Sequence, residues 1–70
     1  MLTLGQRLKI TRIIANKKQK DLELETGISR VNIAKYENDK VIPKFNTIEK
    51  IEKSIGKLIS KDIVENINRE

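Results

Sequence analysis

The sequence predicts an all-α fold, a compact five-helix domain that occupies residues 1–70 as a single unit. Apolar residues recur at three- and four-residue spacing, which is the period of an amphipathic helix. No segment alternates apolar and polar residues as a half-buried strand does. A length of 70 residues is also within the range of one small domain.

The first helix is predicted from about Leu4 to Ala15. The Thr3 hydroxyl can cap its amino terminus, and Leu4 and Leu8 lie on one face at helical spacing. Three isoleucines widen the apolar surface beyond that face: Ile10, Ile13 and Ile14. Ile13 lies nearly opposite Leu8, so some of these side chains are expected to be exposed.

A helix-turn-helix pattern follows over about residues 19–37 and is formed by helices 2 and 3. The second helix is predicted from Gln19 to Thr26, where Gly27 can end it in a left-handed conformation. Ser29 can cap a third helix from Arg30 to about Glu37. Two short helices joined by a glycine turn, the second with a serine cap, are typical of a motif that reads DNA.

Two more helices are predicted over about residues 46–68. Either Asn46 or Thr47 can cap a fourth helix, which Gly56 ends. Ser60 can cap a fifth helix, and its apolar residues are Ile63, Val64 and Ile67.

The connection between the third and fourth helices is predicted to begin with a turn over residues 38–40. Asn38 and Asp39 belong to the residue types that tolerate a positive φ best after glycine. Tyr36 and Phe45 are the aromatic residues of the chain, and both are expected to pack in the core, with the Tyr36 hydroxyl at its rim.

The composition argues against metal, redox and enzymatic functions. The chain has no cysteine and no histidine, so the usual zinc ligands and the usual proton shuttle at neutral pH are absent. It also has no phosphate-binding loop and no pair of nucleophile and base. The helical glutamates are expected to form surface ion pairs. We therefore expect no enzymatic activity, no cofactor and no bound metal.

The charge of the chain favours a polyanionic partner. Its 15 Lys and Arg residues against 10 Asp and Glu residues give a net charge of +5. This charge attracts nucleic acid or an acidic membrane surface and does not distinguish them. No apolar run approaches the roughly 18 residues that span a bilayer, and the amino terminus lacks the layout of a signal peptide. We expect a cytoplasmic protein.

An ordered set of residues from about Leu4 to Ile63 carries a family resemblance. Its members are Gly5, Arg12, Gln19, Leu22, Gly27-Ile28-Ser29-Arg30, Ile33, Tyr36-Glu37, Pro43, Phe45, Thr47-Ile48, Ile51 and Ile55-Gly56. In this order they resemble the lambda-repressor and Cro type of helix-turn-helix domain, the XRE family. The resemblance implies that double-stranded DNA is the partner and that the helix from Ser29 to Tyr36 enters the major groove.

Base contacts are expected from the third helix. Polar side chains near the start of a recognition helix can hydrogen-bond base edges. The candidates are Arg30, Asn32, Ser29 and Lys35. Ser29 is in the first place a helix cap. The alternative is that these residues form an ordinary solvated helix face.

Phosphate contacts are expected from two segments. The resemblance places Gln19 at the start of helix 2 near a phosphate, where free N–H groups and the helix dipole favour an anion. It also implies that the loop after helix 3 contacts the DNA backbone. The candidates are Gln19, Lys18, Lys20, Asn38, Lys40 and Lys44. For the lysines before helix 2, a purely solubilising role stays open. Arg12 and Glu37 match positions that form an ion pair across helices 1 and 3 in similar proteins.

A homodimer is also implied, because one short reading helix is too little to specify a site in a genome. The expected interface contains Val41 and Ile42, with Ile63 and Ile67 as a second candidate. The alternative is that Val41 and Ile42 pack beneath their own loop.

Some positions depart from the family pattern. Glu23 and Glu52 stand where relatives carry small buried residues, and burying an unpaired carboxylate is costly. These two are therefore expected to reach solvent, or the helices to shift. Thr11 and Lys17 replace apolar residues, and Asp39 replaces a glycine.

The sequence thus predicts a sequence-specific transcriptional regulator, a repressor that binds a two-fold operator as a homodimer and associates with the nucleoid when bound. The alternative is an antitoxin or adaptor that binds a protein partner through helix 1 or the C-terminal helices. The isoleucines of helix 1 favour this alternative, because relatives usually carry polar residues there.

Overall fold

A computed structural model describes residues 1–62 of the protein, which form four helices joined by turns. The helices are α1 (Leu4–Ile14), α2 (Gln19–Thr26), α3 (Arg30–Glu37) and α4 (Phe45–Ile55). No strand occurs within the described range. The all-α prediction and the helix-turn-helix over about residues 19–37 are confirmed, and the count of five helices is not.

The predicted fifth helix falls mostly outside the described residues. Lys61 and Asp62 form a turn after Ser60. Ile63, Val64 and Ile67 lie outside the described range, so the interface predicted for Ile63 and Ile67 stays a prediction.

The start of α1 is fixed by a side chain from another part of the chain. Thr3 and Gln6 form a reciprocal capping box, in which each side chain accepts from the other residue's main-chain N–H. Asp39 accepts from the Gly5 N–H at 2.9 Å and from the Thr3 hydroxyl at 2.6 Å. Its φ is 58°, a left-handed conformation that aspartate tolerates better than most residues. The turn after α3 is thereby joined to α1.

The helix-turn-helix has the predicted caps. Gly27 ends α2 with a φ of 76°, and the Ser29 hydroxyl accepts from the Asn32 N–H at the start of α3. A second cap comes from α2, since the Glu23 carboxylate accepts from the Arg30 N–H at 2.7 Å. Glu23 is half-buried and is satisfied by this bond, so the helices do not need to shift to accommodate it.

The start of α4 differs from the prediction. Lys44 is the N-cap, and its main-chain carbonyl accepts from the Ile48 N–H at 3.0 Å. Asn46 and Thr47 lie inside the first turn, so the prediction that one of them caps the helix is wrong. Lys44, which follows the buried Pro43, has an extended backbone, and the helix begins at the next residue without a side-chain cap. Gly56 follows the last residue of α4, as predicted.

The prediction that Phe45 packs in the core is also wrong, because its side chain is 77% exposed. At about 100° per residue, Phe45 lies about 120° around the helix from the buried Ile51. The residue therefore starts α4 on its outer side.

The core contains aliphatic side chains from all four helices: Leu8, Leu22, Ile33, Ile51 and Ile55. Burying one such side chain stabilises a fold by roughly 1.5–3 kcal/mol. Tyr36 is partly buried and packs against this cluster, as predicted. Because Ile33 is fully buried, it sets which side of α3 faces outward.

Polar residues at the departures from the family pattern connect the segment after α4 to the helices. The Thr11 hydroxyl donates to the Arg7 carbonyl and accepts from the Ile59 N–H at 3.0 Å. The Glu52 carboxylate accepts from the Leu58 N–H at 3.0 Å. Neither side chain is an unpaired buried group, which explains how the fold accepts them.

Lys17 joins the turn after α1 to the end of α4. Its ammonium donates to the Ser54 carbonyl at 2.7 Å and to the Glu25 carboxylate at 2.6 Å. This ammonium and the Ser54 hydroxyl lower the pKa of the Glu25 carboxyl below its ordinary value. The Lys17 ammonium is thus held by α2 through Glu25 and by α4 through Ser54. None of α1 to α4 is long and apolar enough to cross a bilayer.

Candidate nucleic-acid interface

The residues predicted to contact bases lie at the start of α3 and on its exposed sides. All four are exposed: Ser29, Arg30, Asn32 and Lys35. Ile33 is fully buried, and at about 100° per residue Lys35 lies about 160° from it and Asn32 about 100°. Ser29 and Arg30 are exposed at the start of the helix. Because the core holds this one side of α3, the other sides are presented to solvent over both turns of the helix.

The start of α3 has two of its free N–H groups already satisfied. The Ser29 hydroxyl accepts from Asn32 at 3.2 Å, and the Glu23 carboxylate accepts from Arg30 at 2.7 Å. These are groups that an isolated helix would leave unpaired. These two main-chain N–H groups are therefore bonded within the protein. A ligand at this end of α3 would contact mainly the side chains.

A buried ion pair holds α3 against α1. Arg12 donates through Nε to Glu37 Oε2 at 2.7 Å and through Nη2 to Oε1 at 3.1 Å. The two residues are 8% and 5% exposed. A third guanidinium nitrogen donates to the Lys17 carbonyl at 2.8 Å. The structure thus brings Arg12 and Glu37 together in a bidentate pair, the stronger form of such contacts.

Gln19 extends this pair to α2. Its side-chain nitrogen donates to Glu37 Oε1 at 3.0 Å, which places the start of α2 beside the end of α3. The amide has a second N–H, and the first main-chain N–H groups of α2 have no partner within the helix. Gln19 is therefore positioned by Glu37 and still has donors for an anion.

The cationic residues predicted to contact phosphate are exposed. They are Lys18, Lys20, Lys40 and Lys44, and Asn38 is exposed as well. Lys18 and Lys20 flank Gln19, and Asn38 directly follows Glu37. The contact between Gln19 and Glu37 therefore brings Lys18 and Lys20 to the same end of the motif as Asn38. Lys17 differs from its neighbours because its ammonium is bound to Glu25 and Ser54.

The segment after α3 exposes three apolar side chains, which we call the 41–45 patch: Val41, Ile42 and Phe45. Ile42 is 82% exposed and Phe45 is 77% exposed, whereas Pro43 between them is buried. Ile42 thus does not pack beneath its own loop within one chain. Phe45 was missed as a surface residue because its helix begins earlier than the sequence indicated.

Val31 is an exposed residue of α3 that the sequence reasoning did not select. Its side chain is 64% exposed and lies between the exposed residues Arg30 and Asn32. The available signal was its position relative to Ile33, which at about 100° per residue puts Val31 on the far side of the helix.

No curated protein and no solved structure matches this chain. The family model of the helix-turn-helix domain matches residues 5–67, which include α2 to α4, all of α1 except its first residue, and the whole of the motif in α2 and α3. The chain therefore belongs to the helix-turn-helix domain family, as its resemblance predicted.

Proposed function

We propose that the protein is a sequence-specific DNA-binding transcriptional regulator, a repressor that binds a two-fold operator as a homodimer. The observation that carries the proposal is the way in which the core and a buried ion pair hold α3 in one orientation. Its inner side is fixed by Ile33 and by the pair of Arg12 and Glu37, and polar side chains are exposed on its other sides. A rigid helix with such a face fits the major groove of B-DNA.

Base reading is assigned to side chains of α3. Arg30 has the donor geometry for guanine and Asn32 that for adenine, and Ser29 and Lys35 are the further base contacts. Gln19 and the exposed residues on either side of the motif contact phosphate: Lys18, Lys20, Asn38, Lys40 and Lys44. These contacts fix the register of the protein on DNA and carry no sequence information directly.

The dimer is assigned to the 41–45 patch, to which Val41 and Ile42 belong. Exposed apolar groups of this kind are typical of a protein contact. Ile63 and Ile67 are a second candidate for the same interface. Two copies would present two α3 helices to half-sites one helical turn apart. A dimer bound over a promoter blocks polymerase without a further domain, so repression is the proposed outcome.

Selection from a random DNA pool tests this proposal. At near-physiological salt, the bound sequences should converge on a two-fold site, and footprinting should show half-sites about 10 base pairs apart. A pool that shows no enrichment would contradict sequence-specific binding. Enrichment of a single, asymmetric half-site would contradict the dimer and leave the reading helix in place.

The division between base and phosphate contacts predicts different effects for two substitutions. Arg30→Ala should weaken binding to the selected site by about 1–3 kcal/mol and relax preference at one base pair. Lys44→Ala should weaken selected and random DNA alike and reduce the salt slope by about one. Fluorescence anisotropy at several salt concentrations measures both. Equal effects of Arg30→Ala on selected and random DNA would contradict the assignment.

The dimer contact predicts that a charge in the 41–45 patch separates the protomers. Ile42→Asp should shift the sedimentation of the free protein towards the monomer, because the aspartate would have to be buried in the interface. Leu24→Asp is the matched control, since Leu24 is 75% exposed on α2 and lies outside the patch. A dimer that persists in Ile42→Asp would exclude the patch as the interface.

A second candidate function is that of an antitoxin or adaptor. The observation that favours it is the exposure of Ile13 and Ile14 at the end of α1, at 56% and 68%. A stoichiometric protein partner that is lost in Ile14→Asp, together with no preferred DNA site, would establish it. Under the first proposal the protein acts in the cytoplasm, at the nucleoid, and needs no cofactor.

A further inference from the structure

Val31 is an apolar residue in the middle of a polar surface. Its neighbours along α3 are Arg30 and Asn32, and all three are exposed. At about 100° per residue, Val31 and Lys35 each lie about 160° from the buried Ile33. The helix face that points most directly away from the core therefore contains one valine and one lysine, four residues apart.

From this placement we infer that Val31 is a specificity-determining residue that contacts the 5-methyl group of a thymine in the operator. The inference rests on the proposed function, since it requires α3 to lie in the major groove. The thymine methyl is the apolar group that base pairs present there, and small apolar side chains recognise it by contact. The remaining features of the groove edge are hydrogen-bond donors and acceptors, which valine cannot satisfy.

The stiffness of valine suits this role. A β-branched side chain in a helix has one strongly preferred χ1 rotamer, so little conformational freedom is lost when it meets a methyl group. Arg30 and Asn32 beside it can hydrogen-bond neighbouring bases. The expected half-site thus has a thymine flanked by base pairs that are read through polar contacts.

A structural role for Val31 is not supported by its surroundings. Its side chain is 64% exposed and is outside the core cluster. Valine also has a lower helix propensity than alanine. Val31→Ala should therefore leave the thermal midpoint of unfolding unchanged or raise it slightly. A change in DNA binding in this variant then reports on the interface and not on the fold.

Deoxyuridine substitution tests the inference, because deoxyuridine pairs as thymidine does and lacks only the 5-methyl group. The operator is first obtained by selection, and each thymine is then replaced singly. For the wild-type protein, each half-site should contain one sensitive position. A single replacement at that position should weaken binding about fourfold, the effect of burying one methyl group. Val31→Ala removes both γ-methyl groups and keeps only the shorter Cβ, so this variant should bind the thymine operator more weakly and lose less than the wild-type protein on deoxyuridine replacement at that position.

Leu24→Ala is the matched control, an exposed apolar residue on α2, and it should keep the wild-type response to deoxyuridine. The inference is overturned if the wild-type protein is indifferent to deoxyuridine at every position. It is also overturned if Val31→Ala retains the full fourfold loss. In both cases the operator is still bound and the proposed function stands. A selection without any enriched site would instead remove the proposed function, and this inference with it.

Discussion

Gly5→Ala is expected to lower the free energy of unfolding by about 3 kcal/mol. A Cβ at this position would collide with the Tyr36 carbonyl, and would lie 2.7 Å from both the Glu37 carbonyl and the Asp39 carboxylate. Two of these atoms belong to the main chain of α3 and cannot rotate away. Relief requires α1 and α3 to separate. Urea unfolding followed by circular dichroism measures the change.

Gly27→Ala is the control for this substitution. Gly27 has a φ of 76° and no heavy atom within 4 Å of the added methyl group, so only the left-handed conformation is penalised, by about 1–2 kcal/mol. A loss at Gly5 no greater than that at Gly27 would show that the close approach of α1 to α3 does not exist in solution.

Glu37→Ala is expected to cost about 3–5 kcal/mol, because it leaves the buried Arg12 guanidinium without its counter-ion. The same substitution removes the acceptor of Gln19. The fraction of Glu37→Ala that stays folded should therefore also bind DNA more weakly than the wild-type protein, because Gln19 is no longer positioned. Denaturant unfolding gives the first effect, and binding measured well below the unfolding midpoint gives the second.

Two variants separate charge from packing at this site. Glu49→Ala, at an exposed position of α4, should change stability by no more than about 0.5 kcal/mol. The double substitution Arg12→Met with Glu37→Leu should recover much of the loss, since apolar pairs of similar volume often replace a buried ion pair without penalty. A Glu37→Ala protein as stable as Glu49→Ala would contradict the burial of the pair.

Local signals in the sequence were enough to predict the helix-turn-helix. Thr3, Gly27 and Ser29 act within one turn of their own helix, so their positions alone predicted where α1 starts, where α2 ends and where α3 starts. The start of α4 could not be predicted in this way. No side chain caps this start, so no local signal marks it, and Phe45 at the first position of α4 is exposed.

The polar residues that depart from the family pattern show a second limit of prediction from the sequence. Glu23 and Glu52 looked costly and Thr11 departed from the apolar pattern, because their partners are not neighbours in an obvious pattern. The partners are main-chain N–H groups of other segments, those of Arg30, Leu58 and Ile59. Only the three-dimensional arrangement shows which main-chain groups are left over for a side chain to satisfy.

The structure shows that Arg30 and the lysines flanking Gln19 are exposed, and their contacts with DNA stay predictions that rest on their chemistry. Val31 was not selected because a valine in a helix is usually part of the core. Its exposure follows from the rotation of α3 about its axis, and that rotation is set by Ile33 and Glu37 together.

The bonds from Asp39 to Gly5 and Thr3 have a consequence for the spacing of an operator. They make the turn after α3 part of the same rigid body as α1, and the 41–45 patch follows that turn directly. A dimer formed through the patch would then hold its two α3 helices in a nearly fixed relative orientation. One extra base pair at the centre of the operator turns the second half-site by about 34–36°, a misalignment that a rigid dimer cannot follow and a loosely hinged one would tolerate.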